Sequence, residues 1–214
     1  MTDTIATVYV ASYPNPKSAE AKGQFPAFAF SGALEIKRFS YAGITSTTES
    51  FPLKQSVQLR GVKSARKAEL IALRTALRAC RQAKMTHITT SSEFIYDALT
   101  KGWLERWQHN GWRKSNGNSV SNVSLWLDII EELDDRGWRF SIAYAPADTE
   151  SEIEHVAWAS TYAKTLSVSK TATGNTIVAS GVDLTDHVRE GSFPSANAAI
   201  RRYRNHACEC EYQF

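Results

Sequence analysis

The chain has 214 residues, 43% hydrophobic and 22% charged, with a formal net charge of +3. This is too apolar for a disordered chain, and its size fits one domain of about 150 residues plus extensions. No apolar run approaches the roughly 20 residues of a membrane helix. The N-terminus MTDTIATVYVASYP lacks the basic region and apolar core of a secretory signal, and the Arg-rich pattern of a transit peptide. Three cysteines, Cys80, Cys208 and Cys210, are too few for a disulfide framework. An intracellular protein, cytoplasmic or nuclear and without membrane contact, is expected. Cys208, Cys210 and the nearby His206 are a weak zinc signal, because they fall short of a four-ligand set.

In chain order, residues 5–12 (IATVYVAS) are β-branched and aromatic and predict a strand. Residues 14–23, with two prolines, read as a loop, and Phe25 to Phe30 as a second strand. Residues 33–49 predict further strand pairs around Gly43, and Gln55 to Arg60 another short strand. A helix follows from an N-cap at Ser64 to about Lys84, with Leu70, Leu73, Ala76, Leu77 and Cys80 at helical spacing. His87 to Thr90 predicts a strand, Ser91 or Ser92 caps a helix to about Thr100, and Trp103 to His109 forms a short helix. Ser121 is the expected cap of a helix carrying Leu125, Ile129 and Leu133, closed by Gly137. Trp138, Phe140 and Ile142 alternate with polar residues, as in a half-buried strand. A last helix is expected over 151–164. Residues 165–180 read as a linker, and 195–206 as a docked or frayed terminal helix.

The pattern is α/β with one mixed sheet flanked by helices and a C-terminal extension. The expected organisation is a domain over 1–164, then a linker and extension over 165–214, as packed helix or strand. Charge is unevenly distributed. Residues 60–84 carry eight basic residues against Glu69 alone, net +7, and residues 128–154 carry nine acids against Arg136 and Arg139, net −7. Such a split is compatible with a phosphate-attracting face or with two solvated helix faces.

Several segments carry a family resemblance. The run from Ser64 to Leu70 is similar to the opening of the first helix of type 1 ribonucleases H, which contributes a catalytic glutamate. Residues 89–95, TTSSEFI, fall where that family has a strand-end Thr-Asp-Ser. The stretch Trp103 to Trp112, WLERWQHNGW, resembles the tryptophan-rich handle of the family, and Val120 to Trp126 resembles the segment after it. The similarity covers about residues 5–164, with an insertion near 32–53. It implies a ribonuclease H-like fold with a mixed five-stranded sheet.

The resemblance also implies a chemistry, which this chain departs from. Family members cleave RNA in RNA–DNA hybrids with two magnesium ions, a hard-cation chemistry met by four acidic residues. The matching positions here are Ala11, Glu69, Ser91 and His155, of which only Glu69 is acidic. Alanine has no ligand atom, serine is a neutral, weak ligand, and imidazole is softer than magnesium prefers. The expectation is a pseudo-ribonuclease H with no catalytic residues, no metal site and no cofactor.

The positions matching the family's nucleic-acid contacts are better kept. They are Phe94 and Trp103 in the DNA-strand channel, and Ser64 and Asn122 in the phosphate pocket, with Arg60 and Lys63 nearby in sequence. Ala65 stands where the family has an asparagine contacting the RNA strand. Tryptophans 103, 107 and 112 also have a purely packing role open to them. Three functions follow as expectations. The first is a non-catalytic domain binding an RNA–DNA hybrid or duplex, or serving as an interaction module. The second is a protein scaffold without nucleic acid, and the third is an active hybrid nuclease with rearranged Mg2+ ligands. The expected partner is nucleic acid or a protein.

Overall fold

The computed structural model describes residues 2–13, 25–39, 46–59, 62, 64–135, 137, 139–168 and 178–179. In chain order the strands are β1 (Thr2–Tyr13), β2 (Ala27–Phe39), β3 (Ser46–Gln58), β4 (Met85–Thr90), β5 (Phe140–Tyr144) and a two-residue β6 (Val178–Ala179). The helices are α1 (Ala65–Ala79), α2 (Glu93–Thr100), α3 (Trp103–His109), α4 (Val123–Asp134) and α5 (Glu154–Val168). The sheet runs β5-β4-β1-β2-β3-β6. β1–β2–β3 is an antiparallel meander, while β4 and β5 join in parallel. The five expected strands therefore form one mixed sheet, and β6 pairs with β3 at Gln55 and Ser56.

Alternation along the strands divides the interior in two. Ala6, Val8, Val10, Phe28, Phe30 and Ile88 face α1 and α4 and join the main core with Leu70, Leu73, Leu77, Trp126, Ile129 and Ile130. Tyr9, Ala11 and Ala29 face the other side and pack on Ala159 and Ala163 of α5. Small residues at Ala11, Ala29, Ala159 and Ala163 are what let α5 lie against β1 and β2.

Several expectations are corrected. Residues 33–49 do not form separate strand pairs: β2 and β3 continue as one hairpin paired from Ala27↔Gln58 to Phe39↔Ser46. Register, once set near the core, carries outward through the ladder even where the side chains are polar. α1 ends at Ala79, with the Cys80 N–H bonded back to Ala76 and Leu77, so 80–84 form turns. The cap of α4 is Asn122, at φ 60 with no side-chain cap bond, rather than Ser121. α5 begins three residues late because Asp148 and Ser151 accept bonds from the N–H groups of Glu150 and Ile153 in local turns, and it runs on to Val168. Gly137 does close α4, at φ 59, with its N–H on Asp134. The expected terminal helix, Cys208, Cys210 and His206 lie outside the described residues.

Part of the basic run and part of the acidic run pair with each other instead of forming separate faces. Arg74 meets Asp128 at 2.6 Å, Arg78 meets Glu132 at 2.9 Å, and Arg81 meets Asp135 at 3.4 Å. Each pair is 54 residues apart in sequence. α1 and α4 therefore pack with a ladder of ion pairs along their seam, and Glu132 has only 5% of its side chain exposed.

Candidate nucleic-acid interface

A cleft of about 970 Å3 opens where the C-terminal ends of β1, β4 and β5 meet the α2–α3 handle. Parallel strands send their carboxyl ends to one edge, so Ser12 and Tyr13, Ser91 and Ser92, and Tyr144 to Ala147 arrive together. The first turns of α1 add Arg66 and Glu69. The handle adds Trp103, Arg106, Trp107, Arg113 and Lys114. Glu69, Ser91, Phe94 and Trp103, four of the residues singled out in the sequence, therefore line one cleft.

Ring packing shapes the handle wall. The Phe94 ring lies 6.4 Å from Trp103, 6.5 Å from Trp107 and 5.8 Å from Trp126, and Trp103 and Trp107 are 5.9 Å apart. Trp126 is fully buried beneath them, while Phe94, Trp103 and Trp107 keep a partly exposed side. The guanidinium of Arg66 sits over Phe94, 4.7 Å from the ring centre. Gly102 starts α3 at φ 65, and Gly111 and Trp112 end it at φ 61 each, so the chain reverses into the Arg113↔Ser119 bridge. That reversal brings Arg113 and Lys114 back to the cleft. Arg66, Arg106, Arg113 and Lys114 make no ion pair with a carboxylate among the described residues. Sequence reasoning passed over Arg66, Arg106, Arg113 and Lys114. Arg66 was counted only within the basic run over 60–84, and the signal for the other three was the recurrence of basic residues beside the handle's aromatics.

The four positions matching the family's acids are dispersed in role. Ala11 is fully buried against α5. The Ser91 hydroxyl accepts the Ser12 N–H at 3.2 Å, and the Ser91 N–H donates to Val10, so this serine ties two strand ends together. His155 does not line the cleft; its Nδ1 lies 3.1 Å from the Oγ of Ser31, a buried residue of β2. Glu69 is 4% exposed, and its Oε2 has no hydrogen-bond partner. Burial pushes its carboxyl above the ordinary 4.5, against the opposing pull of the Ser92 hydroxyl and Arg66.

The other sequence-predicted contacts lie apart from the cleft lining. Ser64 caps α1, its oxygen accepting from the Lys67 N–H at 3.4 Å, and Asn122 is the left-handed residue before α4. Arg60 and Lys63 lie outside the described residues.

Two magnesium ions need several hard oxygen ligands on one spot. Here Glu69 shares the cleft with Glu93 and with Asp97, which Lys101 engages at 2.8 Å, while Ala11 is buried against α5 and the Ser91 hydroxyl is engaged by the Ser12 N–H. Among the described residues no group of three or more His, Cys, Asp or Glu side chains is placed to hold a metal ion. The residues present do not fit the two-ion arrangement that the resemblance implies.

The raised Glu69 carboxyl has a consequence for stability. The folded state holds the proton more tightly than the unfolded chain does, so stability falls as pH rises from the unfolded value through the folded one. Glu69→Gln is expected to raise the urea midpoint at pH 7 relative to the parent chain, with the gain vanishing below about pH 4. Equal gains at both pH values would show that Glu69 is not the titrating group.

A family model for RNase H matches residues 31–150. The ribonuclease H of Hahella chejuensis is 38% identical over 74 residues, covering 34% of this chain and 49% of that protein. The ribonuclease H of Chlorobaculum parvum is 32% identical over 63 residues, covering 29% of this chain and 43% of that protein. The match spans about half the length of these curated relatives. Among solved structures, the type 1 RNase H LC9-RNase H1, described as having the type 2 active-site motif, aligns with a TM-score of 0.47 at 16% identity, covering 84% of this chain and 79% of that one. Because the family model spans more than half of the residues and takes in the helix of Glu69, the handle and the sheet's parallel edge, the chain belongs to the RNase H family.

Proposed function

We propose that this chain is an RNase H-family domain that binds nucleic acid in the cleft and does not cleave it. The observation that carries this reading is the composition of the cleft: Arg66, Arg106, Arg113 and Lys114, none in an ion pair with a carboxylate among the described residues, line it with the rings of Phe94, Trp103 and Trp107, beside the carboxyls of Glu69, Glu93 and Asp97, the last paired with Lys101. Phosphate contacts supply most of the sequence-independent affinity of nucleic-acid binding. The guanidinium groups of Arg66, Arg106 and Arg113 suit phosphate oxygens through paired donors. The carboxylates that would hold and activate hydrolytic metal ions are replaced by Ala11 and Ser91, and His155 is engaged by Ser31.

The deciding experiment pairs a hybrid-cleavage assay in Mg2+ and in Mn2+ with a binding titration in EDTA. No cleavage above background is expected. Binding in EDTA should persist and weaken with added salt, and Arg106→Ala combined with Arg113→Ala should lower both the affinity and the salt slope. Metal-dependent cleavage that disappears in Glu69→Gln would overturn the non-cleaving reading. Absence of binding even at low salt would overturn the binding reading.

A further inference from the structure

We infer that Tyr9 is a positioning residue for the cleft: its hydroxyl, buried beneath the sheet-side wall, holds the β5–α5 loop so that Tyr144, Pro146 and Ala147 meet the ligand as a preformed surface. This deepens the reading above that the cleft binds nucleic acid, and rests on it.

The loop that joins β5 to α5 runs from Ala145 to Ile153, and its first residues form the sheet-side wall of the cleft. Connecting segments of this kind are commonly the mobile part of a binding site, because water competes for their backbone groups. Here those groups have fixed protein partners. The Ala145 N–H donates to the Thr90 carbonyl at 3.1 Å. The Asp148 N–H donates to the Ser160 hydroxyl at 3.0 Å. The carbonyls of Ala145 and Pro146 share the Tyr9 hydroxyl, at 3.3 and 3.0 Å. Pro146 contributes a fixed φ of its own.

Tyr9 is the group in this set that reaches both neighbours of the loop. It is 3% exposed on the α5 side of β1, in a cluster with Ala11, Ala29, Ala159 and Ala163. Those small side chains leave room for a phenol between the sheet and α5. The Ser160 hydroxyl, which holds Asp148, also bonds to Tyr9. One buried network therefore joins β1, the loop and α5. Burial pushes the phenol up to about 12, so it stays a proton donor throughout the neutral range. A phenylalanine in its place would fill the same space and leave two carbonyls without their donor.

The consequence is for binding. A wall already in place needs no ordering when a ligand arrives, whereas a loose one must be ordered at that moment. The opposite wall is fixed in another way, by Trp126 packed under Phe94 and Trp107.

The test follows backbone amide exchange by NMR, and binding of a labelled RNA–DNA hybrid by fluorescence anisotropy, on the full chain in EDTA at about 50 mM salt. It compares the parent with Tyr9→Phe and Ser160→Ala. In the parent, the Ala145 and Asp148 amides are expected to be protected without ligand and to gain little when the hybrid is added. Tyr9→Phe should raise their exchange by about ten-fold or more and leave the amides of α1 and α4 as in the parent. It should also weaken hybrid binding by about five-fold. Ser160→Ala, which cuts the same network from α5, should raise exchange at Ala145 as well as Asp148, and it keeps the test open if Tyr9→Phe fails to fold. Loop amides that exchange freely in the parent until hybrid is added would overturn this inference and leave the binding reading standing. So would a Tyr9→Phe chain with the parent's exchange and affinity, or one loosened evenly throughout β1 and α5, which would make Tyr9 a packing residue only. No hybrid binding by the parent chain would overturn the binding reading and this inference with it.

Discussion

Gly32→Ala is expected to unfold the protein or to lower its melting temperature by about 10 °C or more. Gly32 lies inside β2, opposite Val8 of β1. A Cβ added there would sit 2.0 Å from the Thr7 carbonyl oxygen and 2.8 Å from the Val8 Cα. Both obstacles are backbone atoms of the central strand, so no rotamer change relieves them. Glycine within a strand marks such a close approach of chains. Overpacking a core side chain commonly costs about 1–3 kcal/mol; here the strands themselves must separate, and a loss of about 4 kcal/mol or more is expected. Thermal unfolding followed by circular dichroism checks it. A variant melting within about 2 °C of the parent would show that β1 and β2 are not this close. Because β1 delivers Ser12 and Tyr13 to the cleft, any folded remnant should also bind nucleic acid poorly.

Trp126→Ala is the second large effect, at about 3–5 kcal/mol. Trp126 is fully buried on α4, edge-on to Phe94 at 5.8 Å and to Trp107 at 5.7 Å. It therefore joins the α1–α4 layer to the handle and supports the rings lining the cleft from beneath. Its indole N–H finds no partner among the described residues, so its contribution is packing rather than hydrogen bonding. Trp126→Phe, which keeps a ring and removes the orphan donor, should lose less than half as much. Urea unfolding of both variants gives the comparison. Equal losses would mean that the specific shape of the indole, rather than the presence of a ring, holds the handle.

The parts of the fold legible in the sequence are those with local causes. The 3.6-residue spacing of Leu70, Leu73 and Leu77 and the cap at Ser64 gave α1. Ser92 capped α2, its oxygen accepting from the Ile95 N–H at 3.3 Å, and Trp103 to His109 formed α3 with the expected bounds. Where local and non-local causes competed, the reading missed. Asn122 adopts a left-handed conformation that a Ser121 cap did not anticipate. The long β2–β3 hairpin has polar outer strands whose pairing is inherited from its buried end.

By itself the sequence determined the residue chemistry available. Alanine at 11 and serine at 91 cannot ligate as carboxylates do wherever the chain puts them, and the aromatic content of the handle is written in order along ten residues. Only the tertiary structure decided how those groups are used. Ala11 packs on α5, Ser91 ties β1 to β4, and His155 turns to Ser31. Arg74, Arg78 and Arg81 of the basic run are taken by acids 54 residues away, while Arg66, Arg106, Arg113 and Lys114 line the cleft. Ion-pair partners and shared clefts are set by which distant segments meet. That is fixed by sheet register and helix packing, neither of which a local pattern of residues contains.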